Sequence, residues 1–399
     1  MIPFSPPHIS QEAIDEVVDT LKSGWITTGP KTKLFEQKIT EYCGNKKTIC
    51  LNSATAGLEL ILRWFGVKEG DEVIIPAYTY CATANVIVHC GATPVMVDIN
   101  SDDFNISIEK IQKAITSKTK VIIPVDIAGL PADYDEINKL VKKDKVKSLF
   151  VSNSDNQKQL GRVLVLSDAA HSFGAEYKGK KTGRLTDVSV FSFHAVKNLT
   201  TAEGGAIALN FEVFDNEQIY KNLNTMSLHG QNKDALAKTK IGNWRYDVND
   251  AGYKANMTDI NASIGLISLK YYETKDLPRR KEIMTKYQNA FSKYTWAELP
   301  IIENENRKSS YHLYTLRIKN VKEKQRDEII KKIFEKDVSV NVHFQPLPML
   351  SVYKNRGYKI DDFPVAYDNY SREISLPVFY NLSDEQVETV INTVINSVK

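Results

Sequence analysis

The sequence predicts an α/β protein, with a large domain on a mostly parallel sheet over residues 1–255 and a smaller α+β domain over 256–399. Two observations carry this. Short apolar runs that stop at turns alternate with stretches of helical spacing, the pattern of a parallel sheet covered by helices on both faces. Beyond about residue 276 that alternation gives way to mixed helices and short strands around one further core. The 399 residues suffice for both cores.

Ser10 to Leu21 has helical spacing (Ala13, Ile14, Val17, Val18, Leu21), with Ser10 as its N-cap. Gly24 and Gly29-Pro30 then break the pattern around Thr27 and Thr28. TICLNS (48–53) reads as a strand and Ala54 to Phe65 as a helix. The junction at Ala54 and Thr55 therefore offers free backbone N–H groups and a helix dipole to an anion, with small side chains that let it approach. Most such junctions bind nothing. Neither G-x-x-x-x-G-K-[ST] nor G-x-G-x-x-G occurs as a competing phosphate site.

EVIIPA (72–77) is a second buried strand, with Tyr78 and Tyr80 just past its end. They are core filler, or one of them lies on a flat ligand by offset stacking. TPVMVDI (93–99) and KVIIPVDIAG (120–129) continue the alternation. Residues 146–161, VKSLFVSNSDNQKQLG, read as a polar surface loop or small flap.

RVLVLSD (162–168) is a buried strand ending in Asp168, with His171 three residues on. VSVFSF (188–193) alternates like a strand and stops at a polar turn that carries Lys197, before Glu203-Gly204-Gly205 and a second apolar run. Open α/β folds place ligands at such strand ends. A turn lysine is either a solvated charge or, among hydroxyl, amide and apolar neighbours, an amine whose lowered pKa makes it nucleophilic. Asp168 alone reads as a helix N-cap. Together, a strand-end lysine and a strand-end aspartate fit pyridoxal phosphate chemistry: an amine for the cofactor's aldehyde, and an acid that keeps the pyridine nitrogen protonated.

Residues 230–249 are polar and read as a surface loop. From Thr258 the pattern is helical, with Thr258 as cap and Asp259 near the positive end. YHLYTLRI and VSVNVHF read as short strands of the smaller domain, the second ending at His343 beside a proline turn. His343 is structural or a pocket residue, whereas His312 and Tyr314 read as structural.

A formal charge of +3 gives no electrostatic support for nucleic-acid binding. No apolar run is long enough to span a membrane, and MIPFSPPHISQEA lacks a signal-peptide pattern, so no membrane partner is expected and the cytoplasm is the expected compartment. Four cysteines without zinc-ligand spacing predict reduced thiols and no metal.

SDAAHSFGAEYKGKKTG (167–183) and FSFHAVKNLTTAEGG (191–205) resemble the signature of the DegT-type nucleotide-sugar aminotransferases, of pyridoxal phosphate fold type I. SGWITTGPKT (23–32), LNSATAGLEL (51–60) and GYKANMTDINASIG (252–265) belong to the same pattern, so the resemblance spans nearly the whole chain. It implies an aspartate-aminotransferase-like fold and a role for each matched residue. Lys197 is the Schiff-base lysine, Asp168 the partner of the pyridine nitrogen, and Tyr80 the stacking residue. His171 bonds the cofactor's phenolic oxygen or buttresses Asp168. Ala54, Thr55 and Ser192 hold the phosphate.

Lys254 and Asn256 fall where relatives place phosphate contacts to the neighbouring subunit, and 230–250 where a loop reaches across a homodimer with shared sites. Many relatives carry Asn in place of Lys254. Thr28 and His343 are implied substrate contacts. The implied reaction moves an amino group from L-glutamate, leaving 2-oxoglutarate, to C4 of a nucleotide-linked keto sugar. The motifs resemble most the branch of UDP-4-amino-4-deoxy-L-arabinose and 4-amino-4,6-dideoxy-hexose aminotransferases. Sugar dehydration is the less favoured alternative, because relatives that do it carry histidine at the Schiff-base position; a regulatory role is another.

Overall fold

The structure, a computed structural model, describes residues 1–232 and 245–398. Its organising element is a sheet of seven strands among the described residues: β1 (Lys47–Leu51), β2 (Glu72–Pro76), β3 (Thr93–Val97), β4 (Thr119–Ile122), β5 (Leu164–Asp168), β6 (Val188–Ser192) and β7 (Gly205–Leu209). They lie in the order β1-β7-β6-β5-β4-β2-β3. β7 runs antiparallel to both neighbours, and every other pair is parallel. Nearly all strand residues are buried, as expected of a sheet covered on both faces.

The reversal of β7 fixes where the lysine turn sits. Ser192 at the end of β6 pairs with Gly205 at the start of β7, so the Lys197 turn between them stays at the sheet edge where β5 ends in Asp168. β1 and β2 end at that edge too, leading into α3 (Ala54–Trp64) and α4 (Cys81–His89). Four segments of the chain thus deliver their chemistry to one edge.

Helices α1 (Gln11–Ser23) and α2 (Pro30–Cys43) begin the chain and pack with α5 (Asp259–Tyr271). Ser10 caps α1, accepting from the Ala13 N–H, and Thr258 caps α5, accepting from the Asn261 N–H, both as the sequence predicts. Asp259 does more than its place in the first turn of α5 suggests. It is buried and accepts from the N–H groups of Gly29, Lys31 and Thr32 and from the Thr32 hydroxyl, so it also holds the N-terminus of α2. None of the described helices is long and apolar enough to cross a membrane. All four cysteines are free thiols.

A second core lies around α6 (Leu277–Phe291), the C-terminal helix Asp384–Val398 and a small antiparallel sheet of Ala297–Glu298, Tyr314–Ile318 and Glu373–Leu376. Ile2 belongs to this core and bridges to Val338. From there the N-terminal residues run toward the main sheet: the Phe4 ring stacks on His343, and the Ser5 hydroxyl donates to the carbonyl of Val196.

Two expectations are corrected. VSVNVHF forms no continuous strand. It pairs only at two isolated bridges, Val338 with Ile2 and Asn341 with Ser375, because side chains take the next ladder positions: Asn341 Oδ1 accepts the Val342 N–H, and Glu373 Oε2 the His343 N–H. Residues 146–161 are no loop but mostly two short helices, Asp144–Leu149 and Asp155–Leu160. Their polar side chains satisfy carbonyls that the end of α3 leaves free. Ser154 Oγ and Gln157 Nε2 donate to the Phe65 carbonyl, and Asn156 Nδ2 to that of Trp64.

Gln157 is fully buried, and its Oε1 also accepts the Asn153 N–H. Gln157→Ala is therefore expected to cost about 1–3 kcal/mol, read from the urea midpoint. An unchanged midpoint would mean that the segment is ornamental.

Candidate active site

A cleft of about 360 Å³ opens at the edge where β5 and β6 end. Lys197 lines it from a turn closed by its own N–H donating to the His194 carbonyl at 2.9 Å. Burial lowers its pKa to about 8, against the opposing pull of the Asp168 carboxylate. Asp168 is buried at the end of β5, accepting from Thr83 Oγ1 at 2.8 Å and from the Ala170 N–H at 3.3 Å. Burial raises its pKa, while Thr83, the Ala170 N–H and Lys197 favour the charged form.

The opposite wall is the N-terminus of α3. Ser53 caps it by accepting from the Ala56 N–H at 3.1 Å. The Ala54 and Thr55 N–H groups make no hydrogen bond among the described residues. A helix start with free N–H groups in a cleft is an anion site. Ser192 faces the same cleft, and its Oγ accepts the His194 N–H only at 3.4 Å.

Gly205 keeps this wall closed. A Cβ there would stand 2.4 Å from the Ala54 nitrogen and 2.8 Å from the Phe191 carbonyl oxygen, both backbone atoms that cannot yield. Gly205→Ala is expected to force β7 off the helix start, costing at least ~1–3 kcal/mol as overpacking does. Retention of pyridoxal phosphate through dialysis, set beside the melting temperature, checks this. Full retention at the wild-type Tm would place the anion site elsewhere.

His171 lies buried above Asp168's turn, its ring 4.4 Å from that of His312 and 5.7 Å from Phe344. Burial, Lys197 and His343 hold its pKa well below normal, so it is neutral. Its Nδ1 is buried without a partner among the described residues. A neutral imidazole with an orphaned nitrogen beside a cleft fits a ligand that supplies the missing bond. Tyr80 lines the cleft and is 58% exposed, whereas Tyr78 is fully buried and donates to the His343 carbonyl. Of the two tyrosines, only Tyr80 is free to face a ligand.

The structure brings Lys197, Asp168, His171, Ser192, Ala54, Thr55, Tyr80 and His343 around this one cleft. Thr28, Lys254 and Asn256 do not line it. Asn256 Nδ2 donates to Thr28 Oγ1 at 2.6 Å, beside the end of β1, and Lys254 is exposed. The predicted reaching loop, 230–250, lies in large part outside the described residues, at 233–244. Sequence reading missed Thr83, Phe4 and Phe344. Thr83 had a faint signal, since Thr79 and Thr83 stand one helical turn apart and bond to each other at 3.0 Å. Phe4 and Phe344 had none.

The fold matches that of pyridoxal phosphate-dependent aminotransferases. A candidate sugar aminotransferase of Streptococcus pneumoniae, Spr1654, solved in a pyridoxamine phosphate form, superposes with a TM-score of 0.96 at 47% identity, covering 100% of this chain and 99% of that one. Its pyridoxal phosphate form superposes at 0.95. PseC of Helicobacter pylori, an aminotransferase of pseudoaminic acid biosynthesis, gives 0.87 at 28% identity, over 100% of this chain and 99% of its own. The spore coat polysaccharide biosynthesis protein SpsC of Bacillus subtilis is 37% identical over 100% of this chain and 97% of its own.

The DegT/DnrJ/EryC1/StrS aminotransferase family matches residues 7–153 and 155–395. The chain belongs to this family, and its cofactor is pyridoxal phosphate.

Proposed function

We propose that the protein transfers an amino group from L-glutamate to C4 of a nucleotide-linked 4-keto sugar, foremost a UDP-4-keto-6-deoxy-hexose. The product is a 4-amino sugar for surface polysaccharide, such as lipopolysaccharide. The observation that carries this reading is the convergence of the Lys197 amine, the Asp168 carboxylate and the free start of α3 on one cleft. The sugar acceptor draws support from the polysaccharide and pseudoaminic acid roles in the names of SpsC and PseC. A 4-keto pentose is the second acceptor considered, because the motifs resemble that branch too. Nucleotide-linked substrates place the reaction in the cytoplasm on this reading.

Pyridoxal phosphate, when bound, supplies the electron sink that makes the donor's α-proton removable and carries the amino group between substrates. The chain's residues do the rest. The Ala54 and Thr55 N–H groups and Ser192 would hold the phosphate, Asp168 would pair with the ring nitrogen, and Tyr80 would cover the ring face. His171 would offer its Nδ1 to the ring's substituents. Lys197 Nζ would take a proton from the donor's α-carbon in the first half of the transfer and give one to C4 of the acceptor sugar in the second. His343 would meet the sugar in the cleft, and Thr28, which lies outside it, would do so from a second copy.

The assembly is a homodimer on this reading. Ile9, Ile14 and Val18 are exposed apolar side chains that share one shallow apolar depression, a face suited to a second copy. Lys254, and the Asn256 amide proton not spent on Thr28, would then be the groups that hold the cofactor phosphate of a second copy.

The test is an absorbance spectrum of the purified protein. Its visible cofactor band should bleach with L-glutamate and return with a UDP-4-keto-6-deoxy-hexose. Bleaching without return moves the acceptor to the 4-keto pentose. No band after addition of pyridoxal phosphate would overturn the reading.

A further inference from the structure

Behind His343, on the side away from the cleft, lies a line of polar groups that the proposed chemistry does not use. His343 Nδ1 is 2.9 Å from Ser375 Oγ, and Ser375 Oγ is hydrogen-bonded to Glu373 Oε1. Glu373 and Ser375 are fully buried, and Glu373 forms no ion pair among the described residues. Its other oxygen, Oε2, accepts the His343 N–H at 3.0 Å. His343 Nε2 makes no hydrogen bond among the described residues, and the ring lines the cleft.

Hydrogen-bond polarity makes this line a two-state device. The serine has one proton to give. If Glu373 is a carboxylate, Ser375 donates to it, the Ser375 oxygen must accept from His343, and the proton sits on Nδ1. Nε2 then offers the cleft a lone pair. If Glu373 is protonated, its proton belongs on Oε1, because Oε2 already faces the His343 N–H. Every bond in the line then reverses, Nδ1 becomes an acceptor, and Nε2–H offers the cleft a donor.

We infer that Glu373 and Ser375 are positioning residues that set which ring nitrogen of His343 carries the proton, and so whether a sugar hydroxyl or carbonyl meets an acceptor or a donor there. This rests on the proposed reading only for the sugar; the coupling to His343 stands on the hydrogen-bond line itself. Both states are accessible near neutrality. Burial raises the Glu373 pKa to about 8, against the bonds from Ser375 and His343 and the nearby cations Arg326 and Arg317. The fully buried phenol of Tyr78 also faces Glu373. His343 itself is held neutral, its pKa lowered to about 4 by burial and by Lys197; the other groups facing it, His171 and His312, are neutral as well. The ring therefore responds by changing tautomer rather than charge.

The experiment is nitrogen NMR of the protein carrying its cofactor, with its seven histidines labelled and His343→Gln used for assignment. In the wild type the His343 tautomer should pass from Nε2–H to Nδ1–H as pH rises through about 8. Glu373→Gln should lock it as Nε2–H at every pH. The amide oxygen takes the His343 N–H, leaving the NH₂ to donate to Ser375. Ser375→Ala should uncouple it from Glu373, and Ser375→Thr should restore the response.

With the acceptor sugar, Glu373→Gln should change KM on the order of tenfold at high pH, where wild type holds the other tautomer, and little at low pH. A His343 tautomer indifferent to pH, or unmoved by Glu373→Gln and Ser375→Ala, would overturn the inference. A tautomer that follows these variants in a protein that aminates no sugar would sink the proposed function and leave the relay standing.

Discussion

Lys197→Ala is expected to abolish turnover, lowering kcat by on the order of 10⁴ or more, because the positioned proton carrier and the anchoring amine are lost together. Lys197→Arg should fail almost as badly despite keeping the charge, since a guanidinium stays protonated and can neither attack an aldehyde nor shuttle a proton. Pyridoxal phosphate should still bind both variants, held by the free start of α3. The measurement is single-turnover absorbance with L-glutamate, and substantial turnover by either variant would remove Lys197 from its role.

The pH dependence of cofactor capture follows from the same residue. Only the free amine attacks an aldehyde. At pH 7 an ordinary lysine has about one amine in 3,000 unprotonated, whereas a pKa lowered to about 8 leaves about one in ten free. Capture by the apoprotein should therefore accelerate as pH rises and level off above about 8. A rise continuing toward pH 10 would show an unperturbed lysine.

How far the sequence reveals such a site depends on how local each part is. Lys197 and Asp168 were legible because each ends an apolar strand at a polar turn, and the strand register then places them at one edge. The anion site at Ala54 and Thr55 was legible as a strand–helix junction, but its closure by Gly205 was not, since the contact depends on the reversal of β7. Phe4 reaches the cleft by traversing the gap between two cores, and no periodicity records that path. The Glu373–Ser375 line was invisible for a related reason: it meets His343 across 32 residues, and no local pattern couples the two. The helix from Asp259 packs against α1 and α2, through an aspartate whose partners lie about 230 residues away. Nothing in the local pattern announces contacts at that separation.

Asp168→Asn separates function from stability, with opposite expected signs. A fixed negative charge under a protonated ring nitrogen acts where charge develops, and removing one such preorganised group costs about 10²–10³ in kcat. The fold should not suffer. Burial raises the pKa of Asp168 in the folded protein, so the unfolded chain ionises first as pH rises. Between the ordinary aspartate value, about 3.9, and the raised folded value, stability of the apoprotein falls, and above both the full cost persists. Asparagine carries no such cost, and it can keep the local bonds: its oxygen accepts from the Ala170 N–H, while the Thr83 hydroxyl accepts from its amide.

The apo variant should therefore melt at or above the wild-type temperature near pH 7, as expected where a site is strained for function. Thr83→Val, which removes one hydroxyl bond to the same carboxylate but leaves its charge in place, should cost only about two- to tenfold in kcat. Calorimetry of the apoproteins beside steady-state rates decides the matter. A variant that is both destabilised and fully active would mean that Asp168 serves the fold and not the cofactor.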